Sequence, residues 1–472
     1  MLLIALGRVA QFLILLLIMR VATTVLPPSE MGRMSLLVTT IALCALFFIN
    51  PIGMFINRRL HEWNEQGRVK HYLNLYYGYL VFIFLVVSGL LSLTNHFIWF
   101  DFQTETIWLI VLIGGSLLFN TINQTAIPSL NMLGYRGWFM GLTIATLAAG
   151  FILAWTLVKN YSGRAEYWML GLLIGQIIFA GIGIKVFLSK LRPPQAPLQK
   201  SKVNFKPILM FTWPIAISVG LNWLQMQGYR FLLNDSMGLA ALGLFVAGYG
   251  VSAGLISGFE SILTTYFQPL FYENVSKGTG EQTTQVWENY ASAIIPSVVL
   301  LVWMLSAVAP ELTRVLLGVQ YRDSYIYVTW GAIAEGARVV AGVYTLAAHG
   351  RMKTQLLLLP NLVGAILSLT LVSYLVPKMG AIGAGVGLTV AGCLMVLVMH
   401  YTIAKDSSIR LPYRRLMQSL LMGGVLFLGV MSFKTLVANT GSLFYALVLL
   451  AIAGVVFLVM QYLLLRRFQL AK

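Results

Sequence analysis

Glu335 and Arg338 lie three positions apart in the apolar run WGAIAEGARVVAG. On a helix that spacing makes them neighbours on one face. A guanidinium there can grip an oxyanion through parallel N–H groups, with the carboxylate as its counter-ion or as a proton site. The competing reading is a structural ion pair that neutralises itself within the helix. Arg8, Arg20 and Arg230 also fall in apolar segments, nearer the ends, where snorkelling to an interface competes with an anion-binding role. Set against Glu260 and Glu335, the four arginines leave these segments with a positive balance, which suits an anionic ligand. Asn120, Asn123 and Gln124 in FNTINQTA, and Asn222 with Gln225 in LNWLQMQGYR, offer hydrogen bonds to ligand hydroxyls or to neighbouring helices. Trp223, Tyr229 and Trp330 can stack on a ligand ring or simply pack.

Catalytic patterns are absent. GVSAG at Gly250–Gly254 matches a nucleophile-elbow pattern but sits inside an apolar helix without the strand-to-helix turn that exposes such a serine. GAIGAG at Gly380–Gly385 has no strand–helix unit around it and is better read as small residues for tight turns and close helix packing. No phosphate-binding P-loop occurs. The five histidines are scattered, and Cys44 and Cys393 lie in apolar spans, so neither a metal site nor a disulfide framework is expected. The chain reads as needing no cofactor and as no enzyme.

The elements that must position these residues follow from composition. Of 472 residues 58% are hydrophobic and only 10% charged, with a mean hydropathy of +0.82. Such a chain cannot cover its own core with polar surface, which excludes a soluble enzyme. Apolar runs of about 20 residues, each able to cross a bilayer as a helix, recur about fourteen times. The short alternating segments of a transmembrane barrel are absent. The expected fold is an all-α polytopic membrane protein.

A net charge of +17 raises nucleic acid as a partner, but the positions of the charges answer it. With the N-terminus in the cytoplasm, inside connections and the tail carry 21 Lys/Arg against 7 outside. This positive-inside bias places both termini in the cytoplasm and explains the basic character without nucleic acid. The first apolar run continues into Arg20 without a small-residue cleavage site and reads as a retained helix. Trp99, Trp108 and Trp138 near span ends fit an interfacial aromatic belt.

KLRPPQAPLQKSKVNFKP reads as a cytoplasmic linker dividing the chain into six spans before and eight after. The halves echo each other: RVATTVLPPSEMGRMSLL matches RFLLNDSMGLAALGLFV, and LGYRGWFMGL matches HGRMKTQLLL, at offsets of 210 to 216 residues. The expected organisation is two pseudo-symmetric six-helix lobes, 1–190 and 207–404, joined by the linker 191–206. Residues 405–472 add two further transmembrane helices and a tail. Parallel repeats of this kind are a transporter architecture. Pro51, Pro128, Pro214 and Pro360 interrupt spans, as hinges or as fixed curvature.

LPPSEMGRMSLL resembles the first outside turn of polysaccharide transporters, MGLAALGLFVAGYGV the equivalent turn of their second lobe, and PKMGAIGAGVGLTVAG their glycine-rich turn before span twelve. Over essentially its whole length the chain resembles the Wzx-type oligosaccharide-lipid flippases of the multidrug/oligosaccharidyl-lipid/polysaccharide exporter superfamily. That resemblance implies a bacterial inner-membrane flippase that moves a polyprenyl-pyrophosphate-linked oligosaccharide for O-antigen, capsule or exopolysaccharide synthesis. Two lobes would alternate access around a cationic cavity lined by Arg338, Glu335, Arg20, Arg230, Arg8, Asn120, Gln124, Asn222 and Gln225. Membrane lipids, a polysaccharide polymerase and glycosyltransferases are the implied partners, and H+ or Na+ coupling would run through Glu335 or Glu260. An ion-coupled multidrug antiporter and a lipid-linked peptidoglycan-precursor flippase are the alternatives. A membrane glycosyltransferase would need a larger outside loop than any here.

Overall fold

Prolines and glycines decide where the helices begin, bend and stop. The computed structural model describes residues 2–97, 104–192, 205–277, 280–351, 353–407, 409–436 and 442–466, and within them every regular element is helical. The linker expected at 191–206 and the tail beyond Arg466 lie almost wholly outside the described residues, as does Trp99. Two compact units are present, Met1–Trp223 and Leu224–Lys472.

In the first unit, α1 (Leu2–Val25) ends before Pro27, whose extended backbone sets Pro28 into the first turn of α2 (Pro28–Cys44). A missing N–H costs nothing at that position. A π-helical turn at Ala45–Ile49 joins α2 to α3 (Asn50–Glu65), immediately before Pro51. Proline removes a donor and strands carbonyls in the preceding turn. Tyr79 of α4 (Val69–Phe97) donates its hydroxyl to the Phe48 carbonyl at 2.9 Å, so the irregular turn keeps a partner in apolar surroundings. A second π turn, Ile110–Gly114, links α5 (Thr106–Leu109) to α6 (Gly115–Met132).

Gly134, at φ 91°, makes the tight turn into α7 (Arg136–Asn160), which pairs with α8 (Ala165–Ser189). Gly171 and Gly175 of α8 lie against Ala154 and Gly150 of α7. A Cβ on Gly171 would overlap the Ala154 backbone, and one on Gly175 would stand 2.6 Å from Gly150 Cα. This is close backbone approach over small residues four apart, the packing that apolar solvent favours. At one end of the unit Glu30 accepts from the Ala165 amide at 2.8 Å, so an acid of α2 caps α8. Arg33 bridges Glu30 at 3.0 Å and the buried Glu166 at 3.3 Å.

The second unit begins within α9 (Phe205–Gln227) and continues into α10 (Tyr229–Lys277), which is broken at Gly238, φ 80°. Then come α11 (Gly280–Ala307), the short α12 (Ala309–Leu316), α13 (Tyr325–Gly350), α14 (Leu358–Met379) and α15 (Ala381–Ser407). Gly380, at φ 64°, turns α14 into α15, and Gly383 and Gly387 let the two helices close on Leu375 and Val372. The last pair, α16 (Tyr413–Leu436) and α17 (Leu443–Leu465), is tied to the unit by polar contacts at several levels. Lys434 donates to Glu311 and to the Ala307 carbonyl, both at 2.8 Å, Gln461 donates to Ser297, and Glu288 accepts from the Arg410 amide at 2.8 Å.

Among the described residues, twelve helical stretches are long and apolar enough to cross a membrane. One of them, Ile208–Gln268, has 61 residues, roughly 92 Å of helix and enough for two crossings divided near Gly238. Outside the twelve, α13 is diluted by Glu335 and Arg338, yet its 26 residues still reach roughly 39 Å. With that division and α13 included, the spans number the fourteen expected. The chain is a multi-pass helical membrane protein.

Candidate functional site

The site is built where α10 and α13 cross. Gly248 and Gly331 bring the two backbones together: a Cβ on Gly248 would overlap the Ser324 carbonyl, and one on Gly331 the Ser252 hydroxyl. A ring cluster backs this crossing, with the buried Phe245 5.8 Å from Tyr249 and 5.1 Å from the half-buried Tyr327 between centroids. The same approach allows side chains of α10 to reach the charged face of α13. Glu335 and Arg338 do pair as their spacing predicts, with Arg338 Nε 2.5 Å from Glu335 Oε2.

The sequence reading missed how two residues of α10 complete the group. Glu260 Oε2 lies 2.7 Å from Arg338 Nη2, and Tyr249 donates its hydroxyl to Glu335 Oε1 at 2.8 Å. Ser257 Oγ is 3.5 Å from Arg338 Nη2. One arginine therefore meets two carboxylates, and the cluster carries one net negative charge when all three are ionised. The positive charge expected at Arg338 is compensated from within the fold. Exposure is graded across the group: the Arg338 and Glu260 side chains are 29% and 23% exposed, and that of Glu335 only 9%. A charged carboxylate in an apolar sequence segment was the signal available for Glu260. Tyr249 gave none, because a tyrosine is ordinary in such a segment.

The remaining candidates are placed elsewhere. Arg8 is exposed on α1, donates to Gln11 at 3.0 Å and stands 5.7 Å from the Phe139 ring. Arg20 is half-buried on the same helix. Arg230 donates to Gln227 Oε1 at 3.3 Å and to the Tyr229 hydroxyl at 3.4 Å. Asn120 and Gln124 share one face of α6, half-buried and exposed respectively. Asn123, a neighbour of Asn120 by the same helical spacing, is buried and donates to the Gln176 carbonyl of α8 at 2.8 Å, which is the interhelical role. The buried Gln225 carboxamide fills the space over Gly364 of α14, and the Gln225 backbone carbonyl accepts from Ser368 at 2.8 Å. Asn222 is exposed on α9. Trp223 is buried and donates to the Thr39 carbonyl at 3.2 Å, and Trp330 packs over Gly385, so both are engaged in packing.

The helical arrangement is similar to that of several solved membrane transporters. Lipid II flippase MurJ in an inward closed conformation is similar over 98% of each chain, with a TM-score of 0.70 and 14% identity. An inward-facing multidrug resistance MATE family transporter matches 86% of this chain and 98% of its own, with a TM-score of 0.63 and 12% identity. A variant of the Vibrio cholerae MATE transporter VcmN matches 85% and 93%, with a TM-score of 0.53 and 13% identity. At such identities the likeness is one of fold. No curated protein matches the chain. The family described as polysaccharide biosynthesis protein matches residues 22–326, and the chain belongs to that family.

Proposed function

We propose that the chain is a flippase that carries a polyprenyl-pyrophosphate-linked oligosaccharide across the bacterial inner membrane, for O-antigen, capsule or exopolysaccharide assembly. The observation that carries this reading is Arg338, a guanidinium held in the middle of a membrane-length helix with its side chain partly exposed, in a protein of a polysaccharide-biosynthesis family. Intramembrane charge is retained where it meets a polar substrate or pathway, and arginine matches phosphate oxygens bidentately. The likeness to a lipid II flippase supports a lipid-linked head group. Both termini face the cytoplasm, and the lobes 1–190 and 207–404 alternate in exposing the head-group site to either side. A polymerase and glycosyltransferases stand on either side of the step.

A second reading, an ion-coupled antiporter of cationic compounds, is favoured by the two carboxylates that share one arginine. One experiment separates them. A deletion strain carrying wild type or Arg338→Ala is assayed for surface polysaccharide, lipid-linked oligosaccharide by mass spectrometry, and drug susceptibility. Lost surface glycan with accumulated lipid-linked repeat, restored by wild type and poorly by the variant at equal expression, supports the flippase. Unchanged glycan with raised drug sensitivity overturns it in favour of the antiporter.

A further inference from the structure

Arg338 presents two edges, and the fold treats them differently. Its Nε edge is held by Glu335, whose second oxygen is fixed by the Tyr249 hydroxyl at 2.8 Å and which is buried at 6% exposure. That half is locked on both sides. The Nη2 edge meets Glu260 at 2.7 Å and the exposed Ser257 at 3.5 Å. Glu260 comes from another helix, is more open to its surroundings than Glu335, and faces a residue without a side chain. Its Oε1 stands 3.8 Å from the point where a side chain would begin on Gly342, one turn beyond Arg338.

On the reading proposed above, we propose that Glu260 is a built-in competitor for the ligand of Arg338. Its carboxylate occupies the Nη2 edge until the phosphate of an anionic head group takes that place, while Glu335 and Tyr249 keep the guanidinium aimed. A carboxylate and a phosphate offer the same acceptor oxygens to the same N–H groups. The exchange keeps Arg338 paired throughout, so no stage leaves a bare cation in apolar surroundings. The group released is the more exposed of the two acids. The arrangement also sets a threshold. A head group with a single carboxylate gains nothing over Glu260, whereas a pyrophosphate brings more charge and more acceptors and displaces it. Glu260 is thus a specificity-determining residue for strongly anionic head groups, and Tyr249 and Glu335 are positioning residues.

The test uses the full chain in nanodiscs, with undecaprenyl pyrophosphate as probe and undecaprenol as the uncharged control, and reads the dissociation constant. Glu260→Gln removes the competing charge with little change of shape. The expected result is affinity about tenfold tighter than wild type, equivalent to about 1.4 kcal/mol. Glu260→Asp keeps the charge but shortens its reach, so affinity rises by about threefold, which serves if the glutamine variant does not fold. Arg338→Gln loses the preference for pyrophosphate over undecaprenol. A purely structural Glu260 gives weaker or unchanged binding when removed. That result, alongside loss in Arg338→Gln, overturns the competitor role and leaves the flippase reading standing. Equal binding of the pyrophosphate and undecaprenol by wild type and both Glu260 variants overturns the flippase reading and the competitor role together.

Discussion

Replacing Arg338 by leucine leaves Glu260 and Glu335 without their shared cation. The structure says which of them suffers more: the Glu335 side chain is 9% exposed and that of Glu260 is 23% exposed. Stranding a buried charge by removing its partner costs about 3–5 kcal/mol, so Arg338→Leu is expected to destabilise the second unit by about that amount. Glu335→Gln in the otherwise unchanged protein costs about 2 kcal/mol, the value of one charge-assisted hydrogen bond, because Arg338 keeps Glu260 and a glutamine oxygen can still accept from Tyr249. In the Arg338→Leu background the same change removes the stranded charge and is expected to stabilise by about 2 kcal/mol. The assay is reversible unfolding in mixed micelles at pH 8, where a free carboxylate is ionised, for the wild type, both single variants and the double variant. A change of sign for Glu335→Gln between the two backgrounds is the signature. Additivity within about 0.5 kcal/mol would refute the coupling and leave the three residues as independent surface-like charges.

Three further outcomes follow from the packing and the ion pairs. Gly175→Val pushes α8 off Gly150 and is expected to cost at least 3 kcal/mol, whereas Gly181→Val, with open space around it, changes stability by less than 1 kcal/mol in the same unfolding assay. Lys434→Met removes the cation facing the 2%-exposed Glu311 and should cost about 3 kcal/mol. Its control Arg59→Met breaks a pair that is 48% exposed on each side and costs under 1 kcal/mol. Glu30→Gln weakens the cap on α8 by about 1.4 kcal/mol, so amide exchange at Ala165 should quicken about tenfold, with α7 unaffected.

The span count, the irregular turn before Pro51 and the Glu335–Arg338 pair were legible in the sequence because each rests on local rules: run length, a missing N–H, and helical spacing; Pro128 and Pro214, read as interruptions, lie inside the continuous α6 and α9. The glycines of GAIGAG were correctly read as packing residues, and Gly383 shows how, closing α15 onto Leu375. The partnership of Glu260 with Arg338 was not legible, since 78 residues separate them and only the α10–α13 crossing joins them. Tyr249 was hidden for the same reason. Composition alone left Asn120, Asn123 and Gln124 between ligand and neighbouring-helix hydrogen bonds; consecutive positions on a helix diverge, and Asn123 turns to α8 while Gln124 is exposed. The break in α10 was legible as well: it falls at Gly238 in MGLAALGLFVAGYGV, the stretch that resembles a turn, where glycine adopts a backbone that other residues avoid.

The duplication read from the turns is repeated in the packing, and it isolates the charged site. An offset of 212 residues carries Gly171 and Gly175 onto Gly383 and Gly387, and in both units these pairs close the α7–α8 and α14–α15 hairpins. Applied to the site, the same offset sets Glu335 against Asn123, Arg338 against Ala126 and Glu260 against Phe48. Each first-unit residue is neutral and is accommodated by packing or by an ordinary hydrogen bond. Asn123 ties α6 to α8 through the Gln176 carbonyl, Ala126 is fully buried, and the Phe48 carbonyl is satisfied by Tyr79. The shared scaffold therefore needs no ionisable residue at these positions. Since a charge at membrane depth costs about 3 kcal/mol even on the more lenient insertion scales, three of them in the second unit alone are a departure that packing does not require. That asymmetry supports the proposal that the Glu335–Arg338–Glu260 cluster serves a ligand and not the packing.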